Sequence, residues 1–232
     1  MSVNIDMLSR VAHGLGALKE EVVFVGGSVA ELYADDPAAS DIRPTLDVDC
    51  IVALSTRKSY YVLEESLRQL GFKNDITPGV PLCRWIFEDI KVDVMPIDES
   101  ILGFSNRWYA PGMEHRIKMT LPDGMSIYVF PVGYYLASKF EAMLSRRGND
   151  LRTSHDFEDI IYILDNSLDI CEQIFGSKDL SLTGYLREQC AALLTNSNIV
   201  ESVKSALPYG SGERSVVIFE IIDAISTYSI VK

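Results

Sequence analysis

The sequence predicts an α+β protein in two parts, an α/β domain over residues 1–130 followed by a helical domain over residues 131–232. Three observations lead there. Short apolar runs of strand length alternate with amphipathic helical segments as far as Phe130. Beyond Pro131 the apolar spacing is helical almost to the end. Of the 232 residues, 47% are hydrophobic and 23% charged, which is enough for a real core and too ordinary for wholesale disorder. No flexible linker marks the boundary near Phe130-Pro131, so the halves are expected to pack together, with the helical domain closing a cleft.

The first helix is expected from about Asn4 to Lys19, because Ile5, Leu8, Val11, Ala12 and Leu15 recur at helical spacing. Val22-Val23-Phe24-Val25 reads as a short buried strand that stops at Gly26-Gly27-Ser28, with a helix following through Tyr33. Asp47 to Ala53 is a second strand, and Thr56 to Leu70 a helix closed by Gly71. Arg84–Phe87 and Lys91–Met95 form a hairpin around Glu88-Asp89. Arg116–Thr120 and Ser126–Phe130 are two more strands, joined by Pro122-Asp123-Gly124. The helical half is divided into Val132–Arg147, Ser154–Leu164, Leu168–Phe175, Ser181–Leu194, Ile199–Ala206 and Ser215–Ile230. Trp85 belongs to the core, Trp108-Tyr109 to a loop-rich satellite cluster, and Tyr134-Tyr135 to the packing of the two halves.

Composition narrows the function. A net charge of -12 argues against a surface coated with basic residues for nonspecific nucleic-acid binding, although a local basic groove stays open. Cys50, Cys83, Cys171 and Cys190 form no C-x-x-C pair and have no histidine at zinc spacing, so they read as free thiols in a reducing compartment. Asp6 and Arg10 interrupt the apolar residues of the N-terminus, which therefore lacks a signal-peptide layout. No apolar run is long enough to span a bilayer. A soluble, cytoplasmic protein with no membrane partner is expected.

Chemistry concentrates in three places. Gly26-Gly27-Ser28 lies between a strand and a helix, where glycines allow close backbone approach and free N–H groups can meet phosphate oxygens. A tight strand-to-helix turn needs glycine for steric reasons too, so this motif alone decides nothing. In Asp47-Val48-Asp49, alternate residues of a strand put two carboxylates on one face. Such a pair loses hydration and repels itself unless both face solvent or a divalent cation sits between them. Lys91-Val92-Asp93-Val94-Met95 supplies a third carboxylate within an apolar alternation. If that strand neighbours the first, Asp93 completes a cluster of hard oxygen ligands suited to Mg²⁺ or Mn²⁺; the plainer alternative is an edge-strand acid paired with Lys91.

Taken together these residues resemble the nucleotidyltransferase superfamily, whose motif is Gly-Ser opening a helix, then Asp-x-Asp, then a later strand Asp. Here these are Gly27-Ser28, Asp47-x-Asp49 and Asp93, in that order. More narrowly the chain resembles the AbiEii-type nucleotidyltransferases, toxin components of bacterial toxin–antitoxin and phage-defence pairs. That group carries Gly-Gly before the helix, a tyrosine late in it, and Arg-x-Thr/Ser-x-Asp-hydrophobic-Asp, matched by Gly26-Gly27, Tyr33 and Arg43-Pro44-Thr45-Leu46-Asp47-Val48-Asp49. A Lys-containing helix and an Asp-x-x-Asp helix follow in the family. Lys139, with Ala142 and Arg146 on one face, and Asp156-Phe157-Glu158-Asp159 match them. The resemblance covers about Val22 to Leu164. Two features depart from it: Asp35–Ser40 reads as an inserted loop, and His155 stands where members carry a basic residue.

The resemblance implies a polymerase-beta-like α/β domain with a mixed sheet and a helical bundle behind it. It implies that Asp47, Asp49 and Asp93 bind metal and act in catalysis with Lys139. Gly26, Gly27, Ser28, Arg43, Lys139 and Asp156 would contact a nucleoside triphosphate such as ATP, GTP or CTP. The implied acceptor is RNA, including the tRNA 3′ end, and the implied protein partner is an antitoxin. Asp156 and Asp159 share a helical face and would contact nucleotide or anchor Lys139; as acids near a helix start they also favour the helix dipole. Arg146, Arg147 and Arg152 form a basic cluster that suits an RNA backbone or, equally, a solvated helix end. A small-molecule acceptor, of the antibiotic-modifying kind, and a catalytically silent nucleotide- or partner-binding module remain as alternatives. The intact carboxylate set favours the enzyme.

Overall fold

The computed structural model describes residues 2–146 and 150–228. It is α+β with a mixed seven-stranded sheet. By its internal contacts the chain divides into two compact units, one of residues 1–31 with 43–131, the other of residues 32–42 with 132–232.

In the first unit, α1 (Val3–Leu15) buries Ile5, Leu8, Val11, Ala12 and Leu15, the spacing that predicts it. It is shorter than expected because Gly16 turns to φ 54° and the chain continues as a 3₁₀ helix, Gly16–Glu20. Next come β1 (Val22–Val25), the expected helix through Tyr33, which is of 3₁₀ type (Gly27–Tyr33), and β2 (Asp47–Val52). Then follow α2 (Arg57–Gln69), whose Thr56 side chain caps Ser59 N–H, and the two-residue β3 (Lys73–Asn74). The hairpin β4 (Arg84–Phe87) and β5 (Ile90–Pro96) lies where the sequence puts it. Two short helices, α3 (Glu99–Leu102) and α4 (Tyr109–Glu114), occupy a stretch for which the sequence predicts no helix or strand. Both are too short to show an apolar period; α3 is fixed by its Asp98 cap instead. The strands β6 (Ile117–Thr120) and β7 (Ser126–Val129) close the unit.

The strand order is β3-β4-β5-β2-β1-β7-β6. β2 runs parallel to β5, and β1 parallel to β7; the other neighbours are antiparallel. Because side chains alternate, the register sorts them by face. Phe24, Val48, Cys50, Trp85, Val92 and Val94 share one face, and all are essentially inaccessible. Gly14 of α1 approaches Phe87 on that face so closely that a Cβ would sit 2.3 Å from the ring. The other face carries Asp47, Asp49, Asp93 and Arg84.

The second unit is helical: α5 (Val132–Ser145), a 3₁₀ turn (Leu151–Thr153), α6 (His155–Asn166), α7 (Ile170–Phe175), α8 (Leu180–Leu194), α9 (Ile199–Ala206) and α10 (Arg214–Thr227). α5 packs on α6 and α8, and α8 on α10. The Asp35–Ser40 segment belongs here. Asp35 and Asp36 N–H donate to the Asn166 carbonyl (3.1 and 3.2 Å), and Ser40 N–H to its side-chain oxygen (3.0 Å). Asn166 is wholly buried at the end of α6, so its polar groups require these partners. Tyr134 donates to Asp179 at 2.9 Å and Tyr135 lies against Tyr33 with ring centroids 4.7 Å apart, all within this unit. No helix among the described residues is long and apolar enough to cross a membrane.

Candidate functional site

The carboxylates meet because of strand pairing that the local sequence does not encode. β2 and β5 lie side by side with Asp49 in register with Asp93 and Asp47 with Lys91. Arg84 on β4 stands directly across from Asp93. One row across three strands therefore reads Arg84, Asp93, Asp49, with Asp47 one step along on the same face. The alternative of Asp93 as an edge-strand acid paired with Lys91 is corrected: β5 is interior to the sheet, and the ion-pair partner of Asp93 is Arg84.

Arg84 grips the cluster in a fork. Its Nε donates to Asp93 Oδ1 at 2.8 Å, and its Nη2 to Asp93 Oδ2 at 2.7 Å and Asp47 Oδ2 at 2.9 Å. Asp93 is 7% exposed. A buried carboxylate needs compensation of this kind, and the same bonds hold the Arg84 pKa above its ordinary value. Two thiols feel the cluster from nearby. Burial pushes Cys83 up to about 12, with the Asp93 charge adding to it. Burial likewise raises Cys50, reinforced by Asp49 and Asp93.

Gly26 is fixed by both conformation and space. Its φ is 75°, and a Cβ there would sit 1.9 Å from Asp49 Oδ2, so only glycine lets this carboxylate lie against the end of β1. Gly27 begins the 3₁₀ segment. The Ser28 hydroxyl next to it is fully buried and has no hydrogen-bond partner among the described residues. A seven-residue 3₁₀ segment offers less dipole than the helix the sequence predicts, so any phosphate contact here rests on individual N–H groups and this hydroxyl.

The approach to β2 is held by Asn4 of α1, 1% exposed. Its Nδ2 donates to the Arg43 carbonyl at 3.1 Å, and its Oδ1 accepts from Thr45 N–H at 2.9 Å. Thr45 Oγ1 in turn donates to the Asp47 carbonyl at 3.2 Å. Asn4 thus fixes where the Asp-x-Asp strand begins, and the Arg43 guanidinium Nε is buried in the same segment.

Lys139, Asp156 and Asp159 form a second cluster, within the helical unit. Lys139 is 7% exposed, and its ammonium lies 2.6 Å from Asp159 Oδ2 and 3.4 Å from Asp156 Oδ1. Arg146 reaches Asp156 Oδ2 at 2.9 Å. Of the two roles considered for the Asp-x-x-Asp helix, anchoring Lys139 is the one these contacts display. Arg152 is bound to Asp150 at 2.8 Å and Glu201 at 3.0 Å, so both described arginines of the basic cluster are engaged by carboxylates; Arg147 lies outside the described residues. His155 bonds Glu158 at 2.9 Å.

Sequence reasoning missed Arg84 and Asn4. Arg84 was within reach, since counting outward from the Glu88-Asp89 turn pairs it with Asp93. Asn4 carried no signal beyond being a polar residue among the apolar positions of an amphipathic helix. No protein-family model matches the chain, and a search of curated proteins returns no match.

Proposed function

We propose that this protein is a metal-dependent nucleotidyltransferase of the polymerase-beta-like type, moving a nucleoside monophosphate from a nucleoside triphosphate to an acceptor hydroxyl. One observation carries the reading: Asp49 and Asp93 stand in register on adjacent parallel strands, with Asp47 on the same sheet face. Three carboxylates gathered so by nonlocal pairing have no stabilising value of their own and call for a cation. The donor set is all hard oxygen, which suits Mg²⁺ or Mn²⁺, and the cluster already attracts a cationic group in Arg84. Among the described residues no three Asp, Glu, His or Cys side chains converge as a ready metal cage. Asp47 and Asp93 converge on the guanidinium instead.

Asp47, Asp49 and Asp93 would hold the ion, which when bound supplies a lowered pKa for the acceptor hydroxyl and neutralisation of the departing pyrophosphate. The Gly27 backbone is suited to triphosphate oxygens, and the buried, unpartnered Ser28 hydroxyl would join it once the turn uncovers it. In the transfer, the acceptor oxygen would bond the α-phosphorus as the bond to pyrophosphate breaks, and Asp93 would help activate the acceptor hydroxyl. The resemblance to AbiEii-type proteins favours RNA, including the tRNA 3′ end, as acceptor and an antitoxin as partner. The net charge of -12 favours a limited RNA contact or a small-molecule acceptor. A second reading, a silent nucleotide- or partner-binding module, is favoured by the Arg84 fork, which satisfies Asp93 without any ion.

The test is transfer of an α-phosphate label from each of the four nucleoside triphosphates onto total bacterial RNA with Mg²⁺. Asp47→Ala and Asp93→Ala are expected to lower transfer by about a hundredfold or more. Full activity in those variants would refute the assignment, and Mg²⁺-dependent triphosphate binding with no transfer by the intact protein would favour the silent module.

A further inference from the structure

We propose that Arg84 is the resident counter-ion of the carboxylate cluster, and that a divalent metal reaches Asp47 and Asp93 only by displacing its guanidinium. This rests on the reading of the cluster as a metal seat. The fork engages both oxygens of Asp93 and one of Asp47, at 2.7 to 2.9 Å. Mg²⁺ binds carboxylate oxygen near 2.0–2.1 Å with strict octahedral geometry, and a guanidinium forked onto both oxygens of Asp93 and one of Asp47 occupies the space between them and repels a second cation. Arginine stays protonated in proteins, so the guanidinium cannot vacate by losing a proton. One cation must be exchanged for another.

The exchange is physically open. The Arg84 backbone is pinned by its pairing with Asp93, but the side chain is long, and 17% of it is exposed. Its departure leaves Asp47, Asp49 and Asp93 facing one another, a cost that only an arriving cation offsets. The released guanidinium is then a fork-shaped donor free to meet phosphate oxygens. Metal alone therefore binds weakly, and metal accompanied by triphosphate binds with synergy. The site takes the ion tightly only once the substrate supplies a new partner for Arg84.

The experiment is a Mn²⁺ titration followed by loss of the free-ion electron paramagnetic resonance signal, on the full chain and on Arg84→Met and Arg84→Lys, with circular dichroism confirming the fold. Arg84→Met is expected to bind Mn²⁺ about tenfold or more tightly than the parent, the value of a charge-assisted bond removed from competition. Arg84→Lys keeps the charge but loses the fork, and should fall between the two. Should Arg84→Met not fold, the lysine variant alone carries the comparison. Arg84→Lys binding no more tightly than the parent would reduce Arg84 to a through-space charge and overturn displacement. Weaker binding in either variant would make Arg84 an organiser of the ligands and overturn it as well, while leaving the metal seat standing. No binding by any of the three at millimolar Mn²⁺ would sink the metal seat itself, and this inference with it.

Discussion

Replacing Lys139 by methionine removes an ammonium from a nearly closed site while keeping most of the stem's volume. Lys139 is 7% exposed, Asp156 3% and Asp159 2%. The distances decide which carboxylate suffers. Asp156 retains Arg146 at 2.9 Å, whereas Asp159 loses a cation at 2.6 Å. Removing one partner of a buried ion pair costs about 3–5 kcal/mol, because a charge is left behind in a poorly solvating place. A loss of that size is a large part of the 5–15 kcal/mol that ordinarily holds a domain together. Adding Asp159→Asn removes that carboxylate charge, and the double variant should recover all but about 1–2 kcal/mol. Urea unfolding followed by circular dichroism gives each term, with the slope held constant as the sign that only stability has changed. A Lys139→Met loss below about 1 kcal/mol, or a double variant no better than the single, would refute the argument that this ammonium compensates Asp159.

Gly26→Ala should destabilise the first unit by about 1–2 kcal/mol from the left-handed backbone alone, and more as the new Cβ drives Asp49 aside; thermal unfolding reads this, and an unchanged midpoint would contradict the packing of Asp49 against Gly26. The thiols give a pH prediction. Burial holds Cys83 and Cys190 up to about 12, above their ordinary value near 9, so the folded state keeps protons that the unfolded chain releases. Their contribution is fully present below about 9 and is lost as pH rises toward about 12. Denaturation midpoints should fall across that window, less so in Cys83→Ala, and iodoacetamide near neutral pH should label the half-exposed Cys171 before Cys50, Cys83 or Cys190.

Local chemistry was the legible part of this chain. Val22–Val25, the Glu88-Asp89 hairpin and Ile199–Ala206 announce themselves by period and turn residues, and the structure has them at those positions. The Asp-x-Asp pair shares a face because strands alternate, wherever the strand ends up. That β2 neighbours β5 in parallel was a conditional, since parallel pairing joins segments about forty residues apart and leaves no local mark. The helix ending at Tyr33 is there, but Gly27–Tyr33 winds as 3₁₀, a type that a seven-residue segment does not write into its spacing. Asn4 and Asn166 were illegible for a common reason. Each is an amide whose value lies in the backbone groups brought to it from 39 and more residues away.

The tie between residues 35–40 and Asn166 also dictates when this protein can finish folding. The helical unit is not one stretch of chain: its residues 32–42 are synthesised long before 132–228, and the whole excursion 43–131 comes between. As the polypeptide emerges, Asp35, Asp36 and Ser40 have no acceptor until the end of α6 has been made. The early segment must wait, without these partners, while residues 43–131 are made. Closing so large a loop adds only logarithmically to the entropy cost, so final stability tolerates it, but contacts this distant are slow to form. The seam at 32–42 is thus a late event in the life of each new chain, and the segment most open to a protease or chaperone in the interval before Asn166 arrives.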